Sequence, residues 1–250
     1  MYSTKKRYST PYKNTLLKRP YRRTPSRMHI RPPVNRALTF EQPKKTYVSR
    51  SLEDIHSVKE MSNQADFTTF VSFPPLSHDG TTGRSFDHIK LLSLRISGTL
   101  QIKHVSQDPM DASNAFEGIF ICSVLLDKRP FLADGVNSLP VFQELFGAYE
   151  CVYGTPRIKA NVAHRFRLLG SVKKYVSGDG TRSQLPFSFR RRISTRRYPI
   201  WSSFKDPEPN QTGGNYRNVV KNALIVNYAW VSLNSSKCTL YGQNVLHYVG

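Results

Sequence analysis

The sequence predicts an all-β chain: an antiparallel sandwich of jelly-roll type carrying a disordered, basic N-terminal arm. Three observations predict it. Between 92 and 102 the apolar residues Leu92, Leu94, Ile96, Leu100 and Ile102 alternate with Ser93, Arg95, Ser97, Thr99 and Gln101. That period of two marks a long half-buried strand, with a bend expected at Gly98. Residues 118–126 and 223–231 are almost continuously apolar, as strands covered on both faces are. The first fifty residues hold fourteen Lys or Arg against one acid, Glu41. Such a segment has too little apolar surface and too much self-repulsion to fold alone.

The chain therefore divides into an arm, 1–60, and a β domain, 61–250, large enough to bury a core. Strands are expected at 67–73, 92–102, 116–126, 164–176, 187–193, 200–204, 223–232 and 239–248, each carrying a short apolar or alternating run. Pro74-Pro75, Asp79-Gly80, Asp134-Gly135, Gly178-Asp179-Gly180 and Gly213-Gly214-Asn215 are the turn signals between them. One short helix is expected over 139–148, opening near Ser138 and stopping at Gly147. Seven or eight strands with long connections fit a sandwich better than any α/β pattern.

Charge is concentrated rather than spread. The net charge is +20; residues 1–50 contribute +13, 51–156 contribute −6 and 157–197 contribute +11. Two cationic blocks around an acidic body favour a polyanion-binding surface over mere solubility. In the arm, Lys5, Lys6, Arg7, Lys13, Arg22 and Arg23 lie among Tyr2, Tyr8, Tyr12 and Tyr21. Cations neutralise phosphates, and tyrosine rings stack on the bases of single strands. The clusters Lys18, Arg19, Arg22, Arg23, Arg27, Arg31 and Arg36 also suit nuclear-import recognition. A coil of fifty residues spans roughly 40 Å, so such an arm sweeps widely around its domain.

The second block sets cations beside aromatics on strand-like segments. Arg165 and Arg167 flank Phe166, Lys173 and Lys174 precede Tyr175, and Arg190, Arg191 and Arg192 follow Phe187-Ser188-Phe189. Arg196 and Arg197 close the block. Alternation puts Arg165 and Arg167 on one face and Phe166 and Leu168 on the other, a basic sheet face over an apolar core. These cations are the expected second nucleic-acid contact.

Other chemistries find no support in the residues. Cys122, Cys151 and Cys238 are odd in number and far apart, against a disulfide framework and for a reducing compartment. No paired Cys or His at zinc spacing, no Ser/His/Asp set and no phosphate-cradling loop occur, so no enzyme, metal or cofactor is expected. Asp127 reads as a strand-ending turn residue. The start, Met1-Tyr2-Ser3 running into Lys5-Lys6-Arg7, is no signal peptide, and no apolar run is long enough to span a bilayer. A soluble intracellular protein is expected. Leu91, Leu94 and Ile96, or Leu168, Leu169 and Val172, have the spacing of an export signal but fit core strands better.

Several segments in order carry a resemblance. Phe142-Gln143-Glu144-Leu145-Phe146-Gly147-Ala148, Phe204-Lys205-Asp206, Lys221-Asn222-Ala223-Leu224, and the terminal Tyr248-Val249-Gly250 resemble the nuclear shuttle proteins of bipartite begomoviruses. The likeness covers the whole chain and is strongest from Phe142 onward. It implies a fold like that of the geminivirus coat protein. It also implies binding of viral single-stranded and double-stranded DNA, with transport between host nucleus and cytoplasm. Hand-over to the viral movement protein at the host cell membrane is implied as well. Implied host partners are a nuclear acetyltransferase and import and export receptors, with self-association a further partner to test. By the same resemblance a second import region falls at Arg84, Lys90 and Arg95. The acetyltransferase-binding segment falls at Glu150, Tyr153, Arg157, Lys159, Arg167, Lys173 and Phe187. The family's leucine-rich export signal has no clear counterpart, since Leu185 is the only leucine between 176 and 197. A capsid protein packaging single-stranded DNA is the alternative, because a basic arm on a jelly roll also describes small coat proteins. A nucleic-acid nickase would require metal-dependent cleavage.

Overall fold

The central strand of the molecule is the alternating segment, extended at both ends to His88–His104 (β3). Its even residues Leu94, Ile96, Leu100 and Ile102 are fully buried, while Arg95 and Lys103 point to solvent. Gly98 does not break the strand. A Cβ there would sit 2.1 Å from the Tyr241 carbonyl oxygen, so glycine serves the close approach of a neighbouring backbone.

The computed structural model describes residues 47–77, 83–105, 115–132, 138–179, 182–205, 213–233 and 236–250. Around β3 the other strands are β1 (Ser49–Met61), β2 (Ala65–Phe70), β4 (Ala115–Asp127), β5 (Phe166–Asp179) and β6 (Arg182–Arg192). They continue with β7 (Ile200–Phe204), β8 (Val219–Lys221), β9 (Ala223–Ser232) and β10 (Ser236–Val249). All pairings between these strands are antiparallel. One sheet runs β1-β10-β3-β7-β8 with β6 also paired to β3; the other runs β2-β9-β4-β5.

Without the short β7 and β8, the orders are β1-β10-β3-β6 and β2-β9-β4-β5. Successive strands thus wrap between two four-stranded sheets, with first and last strands adjacent, which is a jelly roll. The expected fold class holds. The sandwich interior is filled from both sheets. Phe120 of β4 packs on Phe187 of β6 with ring centroids 5.2 Å apart, and Tyr228 of β9 meets His56 of β1 at 5.6 Å.

Both nearly continuous apolar runs are buried on two faces, as expected; every residue of β9 is buried. Their outer face is covered by the segment containing α1 (Phe142–Phe146) and a 3-10 turn at Tyr149–Val152. Asp66 clamps that segment to the sheet. Its carboxylate accepts from the Phe142 N–H and the Tyr149 hydroxyl, each at 2.7 Å, and from Asn227 Nδ2 at 3.1 Å. The helix is shorter than the expected 139–148. It starts after Val141, whose N–H donates to the Glu144 carboxylate, and ends at Gly147, where φ is +97°.

The boundary between arm and domain needs correction. Residues 49–60, expected in the arm, form an edge strand paired to β10 from Ser49↔Val249 onward. Residues 1–46 lie outside the described residues.

Candidate nucleic-acid interface

Alternation on β6 sorts its cations onto two sides. Phe187, Phe189 and Arg191 lie in register with Gly98, Ile96 and Leu94, on the row that faces the opposite sheet. Arg190 and Arg192 lie opposite Arg95 and Ser93, on the outer face. Arg190, Arg192 and Arg95 are exposed. Further along β3, Lys90 lies opposite Trp201 of β7. The solvent face of the larger sheet therefore carries a cationic row across two strands. Past β6, a turn at 195–198 holds the exposed Arg196 and Arg197. Its Thr195 N–H donates to the Tyr198 carbonyl at 3.2 Å, and the Tyr198 N–H donates to Thr195 Oγ1 at 3.1 Å.

A second feature lies where β5 and β6 part into different sheets. There a cleft of about 460 Å³ is lined by Arg167, Arg191 and Arg192 together with Thr195 and Tyr198. None of its lining residues is acidic among the described residues. Charge-assisted contacts to phosphate need such unneutralised guanidiniums, and the arrangement suits a polyanion rather than a catalytic reaction.

Arg165 is not part of this surface, which corrects the expected basic face on β5. It grips the fully buried Asp127 at the end of β4, with Nε 3.1 Å and Nη2 2.8 Å from the carboxylate oxygens. Nη2 also donates to the Phe131 carbonyl oxygen at 2.9 Å and to the Tyr216 hydroxyl at 3.0 Å. Tyr216 donates in turn to Asp127. Burial, and then the Asp127 carboxylate, push the Tyr216 hydroxyl well above the usual tyrosine range. Arg165 is a structural ion pair, as Asp127 is.

The scan against family models places residues 3–249 in one match, described as the geminivirus coat protein/nuclear export factor BR1 family. The chain belongs to that family. Curated members similar to it carry the name nuclear shuttle protein. The one from African cassava mosaic virus (isolate Nigerian) is 42% identical, covering 95% of this chain and 93% of that protein. Those from Indian cassava mosaic virus and squash leaf curl virus are 30% and 32% identical, covering 93% and 76% of this chain and 89% and 74% of those proteins. Among solved structures, the 60-mer BFDV capsid protein is 10% identical, with a TM-score of 0.27, covering 82% of this chain and 93% of that one. The jelly-roll assignment rests on the strand order and not on that likeness.

Within this coat protein/nuclear export factor frame, the remaining expected residues separate clearly. Lys5, Lys6, Arg7, Lys13, Lys18, Arg19, Arg22, Arg23, Arg27, Arg31 and Arg36 lie outside the described residues. Arg84 is fully buried, with Nε 3.2 Å from the Pro74 carbonyl oxygen, Nη1 2.8 Å from that of Phe86, and its guanidinium 4.0 Å over the Phe204 ring. It is a core staple, and no import receptor reads it in the folded chain. Lys90 and Arg95 instead join the outer face of β3.

Of the expected host-factor residues, Glu150, Tyr153, Arg157, Lys159 and Arg167 are exposed. Phe187 is 4% exposed and packs on Phe120, so it does not meet a partner. Lys173 donates from Nζ to the Val152 and Gly154 carbonyls, which ties β5 to the covering segment. Lys174 is half-buried on the neighbouring position. Leu91, Leu94 and Ile96 are fully buried and Leu169 nearly so, as core strands require. Tyr198 and Thr195 are not among the residues expected from the sequence, although Arg196-Arg197-Tyr198 repeats the cation-beside-aromatic pattern of Arg165-Phe166-Arg167.

Proposed function

We propose that this chain is a viral nuclear shuttle protein. It binds single-stranded viral DNA, and double-stranded DNA as well, and carries it between host nucleus and cytoplasm. It then passes the DNA to the viral movement protein at the host cell membrane. The observation that carries this reading is the acid-free group of Arg167, Arg191 and Arg192 beside the outer row of Arg95 and Arg190. Added to it is the +13 segment at 1–50, which supplies import recognition and further phosphate contacts. Host import and export receptors are its transport partners. A nuclear acetyltransferase meets the exposed residues Glu150, Tyr153, Arg157 and Lys159. The chain works by binding, not by catalysis.

Salt titration tests the electrostatic core of this reading. A protein that meets six to ten phosphates loses roughly 10³–10⁵ in affinity between 50 and 200 mM salt. Equilibrium binding to a labelled oligonucleotide should fall accordingly, and a flat response sinks the reading. A capsid role is the second reading, favoured by the jelly-roll strand order and by the coat protein in the family description. The relatives named above are shuttle proteins along most of their length, which weighs against it. Electron microscopy with DNA separates the two: small complexes support shuttling and closed shells support a capsid.

A further inference from the structure

The cleft between β5 and β6 has the dimensions of a small-ligand pocket, at about 460 Å³. Its floor is apolar, with Leu169 and Ile193 nearly buried. Arg167 rises from β5 on one side. Arg191 enters from the inward row of β6 and reaches across to the opposite sheet over Gly170. A Cβ on Gly170 would lie 3.5 Å from Arg191 Cδ and 3.0 Å from the tip of the Phe189 ring. A Cβ at 170 would press on the Phe189 ring and only touch Arg191 Cδ at ordinary van der Waals distance, so the Arg191 stem passes directly over Gly170. Arg192 is fixed at the rim, its Nε donating to the Ser194 carbonyl oxygen at 3.2 Å. The remaining wall is the Thr195–Tyr198 turn, whose two internal hydrogen bonds present the Tyr198 ring at 76% exposure.

Three guanidiniums with no acid among the described lining residues select phosphate, and an exposed ring held on a tight turn beside them is a stacking platform. A duplex keeps its bases inside its own stack. Only a strand whose bases can be splayed reaches the ring and the arginines together. We infer that this cleft is a single-strand-selective nucleotide pocket, in which one base stacks on Tyr198 while its flanking phosphates lie on Arg167 and Arg191. The pocket presupposes the DNA-binding role above and adds the strand preference and the residues that set it.

Fluorescence anisotropy with the full chain tests it, comparing a thymidine oligonucleotide with a blunt duplex of equal length. Tyr198→Ala should weaken single-strand binding roughly 5- to 150-fold, the range seen when a base-stacking aromatic is removed, and leave duplex binding unchanged. Tyr198→Phe should restore it. The double variant Arg167→Ala/Arg191→Ala should lower the single-strand salt slope by about 1 or more. Equal losses on both DNAs, or none, with Tyr198→Ala overturn the pocket and leave DNA binding standing. A wild type that binds neither DNA overturns both. Photo-cross-linking of the wild type to a strand containing 5-iodouracil guards against misfolded variants. Labelling of the peptide bearing Tyr198 supports the pocket, and labelling only elsewhere overturns it.

Discussion

His56 and Arg165 are buried ionisable groups with opposite consequences. His56 lies between Tyr228, whose hydroxyl is 3.0 Å from Nδ1, and Asn244 at Nε2. Burial lowers its pKa, against a smaller opposing effect of Asp54. The unfolded chain therefore takes up the proton first. The stability His56 contributes is present above its ordinary value of about 6.5 and is lost as pH falls through the lower folded value. Thermal melting should drop between pH 7.5 and 5.5, with a shallower drop in His56→Gln; equal slopes in the two proteins refute this. Among the described residues, Arg165 is the cation that pairs with the fully buried Asp127 carboxylate. Arg165→Ala leaves that charge without its partner, which costs about 3–5 kcal/mol. Urea denaturation should show the loss, while DNA affinity per folded molecule stays unchanged. Nothing local distinguishes Arg165 from Arg167 in the sequence. Both adjoin Phe166, and the deciding partner is 38 positions away. Residue roles set by distant partners are the part of the site that alternation does not reveal.

Elements were legible where the apolar residues of a strand alternate, as in β3, or run unbroken, as in β9. β7 and β9 follow their expected ranges closely, and β3 contains the expected 92–102 within a longer strand. β1 escaped because it is an edge strand rich in charge. Arg50, Glu53, Asp54, Lys59 and Glu60 dominate it, and its inward contribution is small, mainly Leu52, His56 and Met61. Edge strands commonly carry such charge, which guards them against pairing with other chains. β8 has three residues and no pattern to read. The pairing of β6 with β3 is invisible for another reason: a non-local register depends on both strands. That register sets Arg190 directly opposite Arg95. Like charges in that position destabilise a sheet by roughly 0.2–1 kcal/mol. Arg190→Thr should therefore raise stability by about that amount and weaken DNA binding at the same time. Denaturation and binding measured on one preparation check it; a variant weaker in both, or stronger in both, contradicts the trade.

At the scale of the molecule, the charge division read from composition meets a fold that gives the second block an address. The +11 of residues 157–197 is not one surface. It is shared among an ion pair, ties to the covering segment, an outer row and a cleft. The +13 segment stays with residues 1–50. Because β1 begins at Ser49 and Tyr47 stacks on Phe86 with centroids 4.6 Å apart, a clean truncation removes 1–46 and spares both. That protein should melt as the full chain does, bind DNA with a smaller salt slope, and fail to accumulate in nuclei. Imaging and titration together check it, and nuclear accumulation of the truncated chain would move import to the β domain.

Val48 and Gly250 exchange backbone hydrogen bonds at 3.3 and 3.2 Å. β10, which ends there, is paired on both edges, to β1 and to β3. Any pull on the chain ahead of Tyr47 enters the domain at this rung. The final residues of the chain thus act as a mooring for the opposite end. Removing Tyr248, Val249 and Gly250 would loosen this rung without deleting a single cation.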